Sequence, residues 1–342
     1  MTYERINTKI DADDDADQGQ LRLTILCPVY NEQNVIPLFF ERIHPVMKAL
    51  AERYSVHLLF LDNASTDGTP KEIEKIRKAW PATYVITMSR NVGYHASLEC
   101  GLKNAVSDLF VFIDVDCEDP PEMIHQFVLN YERGYDIVYG ERIDRHESKT
   151  MKAARKFFYR LLHAVADEEI ILDMAEFSMF TREVHDAILN ENTSFPFIRA
   201  SIGRVGFKRA AIPFKRQKRI AGETHYNLIR LAIFAVAGIL SASTLFLRLP
   251  IFILPFWIAG LALLGAGYVS THSAWFVVAA FVVFAAYIGT TLAFTALYLA
   301  RTYKNGLQRP NAFINHKGSI LQPPLQTDLN QNRYLDARTI SD

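Results

Sequence analysis

The stretch FVFIDVDCEDPPE, Phe110 to Glu122, carries an apolar run straight into Asp114, Asp116, Glu118 and Asp119. A short apolar run that ends in acid reads as a buried strand whose carboxyl end opens on a polar site. Runs of similar length recur at Leu21 to Pro28, His57 to Leu61, Tyr84 to Met88, Leu109 to Ile113 and Asp136 to Tyr139. Between them apolar residues fall at helical spacing, as in Val35, Leu38, Phe39, Ile43, Val46 and Leu50. Strands alternating with helices predict an α/β domain over 21–227, built on a doubly wound, mostly parallel sheet.

In such a sheet, ligands bind beyond the carboxyl ends of the strands. The polar clusters all fall there: CPVYNE (27–32), DNASTDGT (62–69), SRNVGYH (89–95) and DVDCED (114–119). Alternate residues of an extended chain point the same way, so Asp114, Asp116 and Glu118 are expected to meet at one point. Carboxylates gathered like that repel one another, and a hard divalent cation relieves the conflict. Oxygen-only ligands suit Mg²⁺ or Mn²⁺, which keep positions open for water and substrate phosphate. Asp119 is expected to cap the helix that Pro120 and Pro121 begin.

Lys plus Arg and Asp plus Glu both total 37 among 342 residues, so the charge balance points to no nucleic-acid partner. The acid of DADDDAD (11–17) reads as part of a disordered tail over 1–20. Cys27, Cys100 and Cys117 have no ligand spacing, which fits a reduced compartment. The first apolar run, Leu23 to Val29, is strand-sized and has no cleavage site. The N-terminal domain is therefore expected to stay in the cytoplasm.

From Arg248 to Arg301 no Asp, Glu, Lys or Arg intervenes. That interval is long enough for two spans of about 20 residues. Two transmembrane helices are expected over 250–300, near Ile251 to Val269 and Trp275 to Tyr298, with Ala262, Gly265 and Ala266 as the close-approach face. Arg216, Lys218, Arg219, Arg230 and Arg248 precede the hairpin, and Arg301, Lys304, Arg309 and Lys317 follow it. Both ends, with a C-terminal tail over 301–342, should face the cytoplasm, which makes the chain a multi-pass protein of the inner membrane. Segment 228–249 is expected to lie in the interface as an amphipathic helix, because a crossing there would place the basic tail outside.

Taken together, CPVYNE, DNASTDGT, SRNVGYHASLECGL, FIDVDCEDPPE, VYGERIDRHES and RIAGETHY, followed by a hairpin, resemble the family-2 glycosyltransferases that charge polyisoprenyl phosphates. That group includes dolichol-phosphate mannose synthase and the bactoprenol glucosyltransferases. The resemblance spans roughly residues 21 to 310 and implies a GT-A fold, a divalent cation and a polyprenyl phosphate acceptor at the bilayer. It also implies a nucleotide-sugar donor, with UDP-hexose favoured and GDP-mannose the other choice. Pro28, Tyr30 and Glu32 would line the nucleotide, with Asp62 and Asn63 near base and ribose. Asp114 would sit near ribose or metal, Asp116 and Glu118 would hold the metal, and Arg142, Arg145 and Arg219 would contact phosphates. A solvated surface charge is the alternative for Arg145 above all.

Ser89 and Asn91 either meet the nucleotide or form the turn entering a helix at Gly93, and His95 is either a ligand contact or a helix-surface residue. The chain departs from the family at Asn63 and Glu118, where Asp and Gln are usual, and at His225, where Lys is common. AEFSM (175–179) replaces G-D-F-R-L, so Ser178 stands where Arg is expected. A lipid phosphate is mostly dianionic at neutral pH and needs no general base, so direct, inverting displacement is expected. Transfer directly to a glycan or diacylglycerol is the rival activity, although Q-x-x-R-W is absent, and a catalytically degenerate scaffold is the non-enzymatic reading. Small residues in the hairpin also permit a homo-oligomer.

Overall fold

A computed structural model of the chain describes residues 19–144, 171, 174–191, 198–220, 243–307 and 309–325. Most of the acidic tail, Arg145, Asp173, His225 and residues 228–242 of the expected interfacial helix lie outside the described residues.

The strands are β1 (Arg22–Val29), β2 (Ser55–Asp62), β3 (Thr83–Thr87), β4 (Leu109–Phe112), β5 (Ile137–Asp144), β6 (Met174–Thr181) and β7 (Arg209–Lys215). They form one sheet in the order β3-β2-β1-β4-β6-β5-β7. Every pairing is parallel except the two made by β6, which runs antiparallel between β4 and β5. The five expected strands are all present, and the sheet is mostly parallel and mixed, flanked by helices. β6 and β7 were not legible as strands, because AEFSM reads first as an altered motif and RAAIPFK contains a proline.

Helices α1 (Ile36–Leu50), α2 (Thr69–Ala79) and α4 (Ile124–Glu132) cover one face, and α3 (Tyr94–Asn104), α5 (Arg182–Leu189) and α6 (Ile198–Arg204) the other. The strands feed both faces. Leu23, Ile25, Cys27, Leu58 and Phe60 point to one core, while Leu26, Leu59, Leu61, Phe110 and Phe112 point to the other. Burial on both sides is what makes these strands continuous apolar runs. In α1 the buried stripe is Ile36, Phe39, Ile43, Val46, Met47 and Leu50, whereas Leu38, expected inside, is exposed.

The hairpin is formed by α7 (Leu245–Thr271) and α8 (Ala274–Leu307), the two described helices long and apolar enough to cross a membrane. Almost none of their surface is buried in the protein, which a soluble core helix would not tolerate. α7 begins at Leu245, so Pro250 and Pro255 both lie inside it. The close-approach face differs from expectation. Ala262, Gly265 and Ala266 point outward, and Phe276 instead packs over Gly267. Aromatic contacts set the crossing: Trp257 stacks on Tyr287 with centroids 4.5 Å apart, and the Tyr287 hydroxyl donates to the Pro250 carbonyl at 3.0 Å.

Beyond α8 the chain returns to the sheet rather than trailing away as a tail. Ile320 exchanges backbone hydrogen bonds with Val85, at 2.7 and 2.9 Å, and Asn315 N–H donates to Thr87 O at 2.8 Å. The returning segment thus covers the free edge of β3. Gln322 is buried, and its Nε2 donates to Thr24 Oγ1 and His57 Nδ1, both at 2.9 Å, while its Oε1 accepts from Val106 N–H at 3.1 Å. Arg22 Nη1 donates to the Pro323 carbonyl at 2.6 Å.

Gln322→Ala leaves those partners unsatisfied, and thermal unfolding should report a loss of about 1–3 kcal/mol. Burial first, and Arg22 second, lowers the His57 pKa to about 3. The folded state therefore holds His57 neutral while the unfolded chain takes up a proton, so stability is complete above about pH 6.5 and falls as pH drops toward the folded value. The acid slope of the melting temperature should be shallower in His57→Gln.

Candidate active site

The carboxyl edge of the sheet encloses a cavity of about 470 Å³, within the size range of small-molecule sites. Pro28, Tyr30 and Glu32 enter it from β1 and the loop after it, Asn63 from the loop after β2, Asn91 and Gly93 from the loop after β3, and Asp114 and Asp116 from the loop after β4. The loops are cross-linked. Asn31 adopts φ 56° and its Oδ1 accepts from Thr66 N–H at 2.8 Å, Glu32 N–H donates to Thr69 Oγ1 at 2.8 Å, and Asn63 Oδ1 accepts from Val92 N–H at 2.8 Å. Asn91 both lines the cavity and forms the turn, accepting from Gly93 N–H at 3.0 Å. Asp62 and Ser89 do not line it. Asp62 accepts from Ser65 N–H within its own loop at 3.0 Å, and Ser89 N–H donates to the Phe313 carbonyl at 2.8 Å.

The acid after β4 is crowded. Burial first, then Asp119 and Asp116, raises the Asp114 pKa to about 7, against the opposing hydrogen bond from the Tyr94 hydroxyl at 2.8 Å. Arg219 bridges the next two acids, with Nη2 3.1 Å from Asp116 Oδ2 and Nε 3.0 Å from Glu118 Oε1, while Arg216 pairs with Glu118 Oε2. Backbone bonds hold these arginines above the acid, from Gln217 N–H to Glu118 O at 2.8 Å and from Ile220 N–H to Asp116 O at 3.2 Å.

The expected trio of carboxylates is not gathered. Cys117 takes φ 52°, which ends the extended alternation and turns Glu118 out of the cavity lining. Among the described residues no group of three His, Cys, Asp or Glu side chains is disposed to hold a metal. Asp114 and Asp116 remain on the cavity, and two carboxylates completed by water and substrate phosphate are a donor set that fits Mg²⁺ or Mn²⁺. Asp119 is not a helix cap, since the turn Pro121–Met123 begins without a side-chain cap. It is buried against Arg142, 3.3 Å away. Arg142 lines the cavity, and its buried Nε has no hydrogen-bond partner among the described residues.

Sequence reasoning missed Tyr94, Glu176, Arg199 and Arg216, which also line the cavity, and left His95, a further lining residue, between two roles. Phe112 pairs with Ser178 across the antiparallel β4 and β6, so Asp114 and Glu176 fall opposite each other two residues further on. Ser178 is buried and donates to the Glu176 carbonyl at 3.0 Å. The guanidinium beside this segment comes instead from Arg199, whose Nε and Nη2 reach Glu176 Oε1 at 3.1 and 2.9 Å. The altered motif was the one signal that could have drawn attention to Glu176. Nothing in the sequence links it to Arg199, on a different element.

The raised Asp114 pKa has a consequence for stability. The folded state binds this proton more tightly than the unfolded chain, so stability falls as pH rises from about 4 through about 7. Asp114→Asn removes the effect. It should stabilise the ligand-free protein at pH 8 by up to about 4 kcal/mol, at roughly 1.4 kcal/mol for each pH unit that separates the folded and unfolded values. Chemical denaturation at pH 8 and pH 4 checks this, with the gain expected to vanish at the lower pH.

Comparison with known proteins bears on what this cavity does. Residues 24–189 match the model of glycosyl transferase family 2. An uncharacterised glycosyltransferase of Bacillus subtilis, YkcC, is 32% identical over 249 residues, covering 72% of this chain and 75% of that protein. A prophage bactoprenol glucosyl transferase homolog of Escherichia coli is 28% identical over 230 residues, covering 67% of this chain and 74% of its own. Among solved structures, glucosyl-3-phosphoglycerate synthase from Mycobacterium tuberculosis overlaps 70% of this chain and 84% of its own, at 19% identity and a TM-score of 0.44. The matched segment runs from β1 to α5 and carries the loops and the acid at the strand ends, so the chain belongs to glycosyltransferase family 2 and is a glycosyltransferase.

Proposed function

We propose that this glycosyltransferase moves a hexose from a nucleotide diphosphate donor to a polyprenyl phosphate at the cytoplasmic face of the inner membrane. The observation that carries the reading is the union, in one chain, of an acid-and-arginine cavity with an apolar hairpin whose far end is tied back to the same sheet. A relative named for bactoprenol glucosyl transfer supports the acceptor. Basic residues flank the hairpin at both ends, which supports a cytoplasmic cavity.

In this reading Pro28, Tyr30, Glu32 and Asn63 receive the nucleotide, and Asp114 and Asp116 hold a divalent cation, Mg²⁺ or Mn²⁺. Such a cation, when bound, supplies positive charge to the donor diphosphate. Arg142, Arg216 and Arg219 stabilise the departing diphosphate, exchanging carboxylate partners for phosphate as the donor enters. Arg145 is proposed for the same role. The lipid phosphate attacks as a dianion and needs no proton removed, because its second pKa is about 6. Direct displacement inverts the anomeric centre. UDP-hexose and GDP-mannose are the donors in view. Holding the cavity beside the headgroups turns the encounter of soluble donor and membrane-bound acceptor into an oriented one.

A catalytically degenerate scaffold drew its support from AEFSM. That support is weakened by Arg199, which supplies a cation beside Glu176 where the motif itself lacks one.

Purified protein given radiolabelled nucleotide sugar and polyprenyl phosphate should place label in the extracted lipid, with β configuration by NMR from an α-linked donor. Chelation of the metal or Asp116→Ala should abolish turnover, and Arg219→Ala should lower it by roughly 10²–10³. Label transferred to glycan and never to lipid, or full activity in chelator, would sink the reading.

A further inference from the structure

One wall of the cavity is built differently from the rest. It consists of His95 from α3, Glu176 from β6 and Arg199 from α6. Arg199 is committed along both edges, through Nε and Nη2 to Glu176 Oε1 and through Nη1 to the Met174 carbonyl at 3.1 Å. Glu176 is therefore fixed in place and its charge balanced. His95 feels both charges: burial lowers its pKa, with Glu176 opposing and Arg199 adding, so the ring is neutral near pH 7 and offers one donor and one acceptor. The acids around Asp116, by contrast, meet arginines whose donors suit phosphate-sized partners.

The order of strands gives this wall a ligand. A nucleotide sugar is a linear object of base, ribose, diphosphate and sugar. With its nucleotide at the ends of β2 and β1 and its diphosphate at Asp114 and Asp116 after β4, the next strand in the sheet is β6, which carries Glu176. A phosphate placed there would have to compete with Glu176 and the Met174 carbonyl for the Arg199 guanidinium. A sugar has hydroxyls that both donate and accept, and a pre-oriented mixture of donors and acceptors with balanced charge matches them.

Resting on the donor assignment above, we propose that His95 and Glu176 bind the hydroxyls of the transferred hexose and that Arg199 acts as the positioning residue for Glu176, so that this wall sets which sugar is accepted. Buried polar groups that must pair with a hydroxyl discriminate strongly against a ligand that cannot supply it.

The test is calorimetric binding to the full-length protein in detergent with Mn²⁺, using UDP, UDP-glucose, UDP-galactose, UDP-N-acetylglucosamine, GDP, GDP-glucose and GDP-mannose. Wild type should prefer one sugar at least about tenfold over others on the same nucleotide. His95→Ala, Glu176→Gln and Arg199→Gln should reduce that preference to about threefold or less while the affinity for bare UDP or GDP stays within about twofold. Arg199→Lys should retain an intermediate preference, which a purely structural role would not produce. Thermal melts identify any variant that fails to fold, and the remaining variants then carry the test. An unchanged preference, or an equal loss for every sugar and for the bare nucleotide, overturns the inference. Wild-type binding of nucleotide without sugar preference overturns this wall alone, whereas binding of none of the probes overturns the donor assignment as well.

Discussion

Negative charge crowded at the end of β4 is the constraint around which the catalytic domain is arranged. Four acids fall within six residues, Asp114 to Asp119, at the mouth of a strand that is buried on both faces. Charge in a desolvated cavity is unfavourable and like charges there repel, and the raised pKa of Asp114 registers both effects, burial before its acidic neighbours. The fold answers with cations brought from far along the chain. Arg142 comes from β5, and Arg216 and Arg219 come from the segment that leaves β7 and runs back along the acid loop. These pairs do not saturate the site. Arg142 and Asp119 pair through Nη2 and Oδ2, yet Arg142 Nε and Asp119 Oδ1 stay buried without hydrogen-bond partners among the described residues.

The reversal of β6 is the second structural decision. Had β6 run parallel to its neighbours, its N-terminal residues would lie at the amino edge of the sheet, remote from every strand end that builds the cavity. Because it runs antiparallel to both β4 and β5, Glu176, near its start, arrives at the carboxyl edge opposite Asp114. α6 then packs alongside and supplies Arg199. The reversal therefore adds to the cavity a wall with its own mixed polarity.

Legibility followed the range of the forces involved. The strands β1 to β4 announce themselves because double-sided burial demands uninterrupted apolar residues, and their polar ends could be assigned to one crevice from topology alone. Pro28, Tyr30, Glu32, Asn63, Asn91, Asp114, Asp116, Arg142 and Arg219 do meet there. What failed depended on single backbone torsions or distant pairings. The left-handed Cys117 turns Glu118 aside, Arg142 claims the buried Asp119, and Arg199 finds Glu176 across 23 residues of chain. None of these leaves a periodic trace in the sequence. The outward-facing Ala262, Gly265 and Ala266 follow the same rule in the hairpin, where aromatic stacking at Trp257 and Tyr287 decides which face is inside.

The segment after α8 joins these parts mechanically. It is polar, broken by Pro310, Pro323 and Pro324, and without a clear period, so nothing local marks it as part of the sheet. Its backbone nonetheless pairs with β3, and Gln322 reaches Thr24 on β1 and His57 on β2. A hairpin fixed to the domain only at α7 would leave the cavity free to tilt relative to the two helices. A second attachment, from the end of α8 to the edge of β3, restrains that tilt, because a body joined to a hairpin at two separated points loses rotational freedom that one joint allows. The Tyr298 hydroxyl adds to this by donating to the Ser243 carbonyl at 2.6 Å, which ties α8 to the residues just before α7. The placement of the cavity relative to the hairpin is thus a property of the chain's return path as much as of its apolar helices.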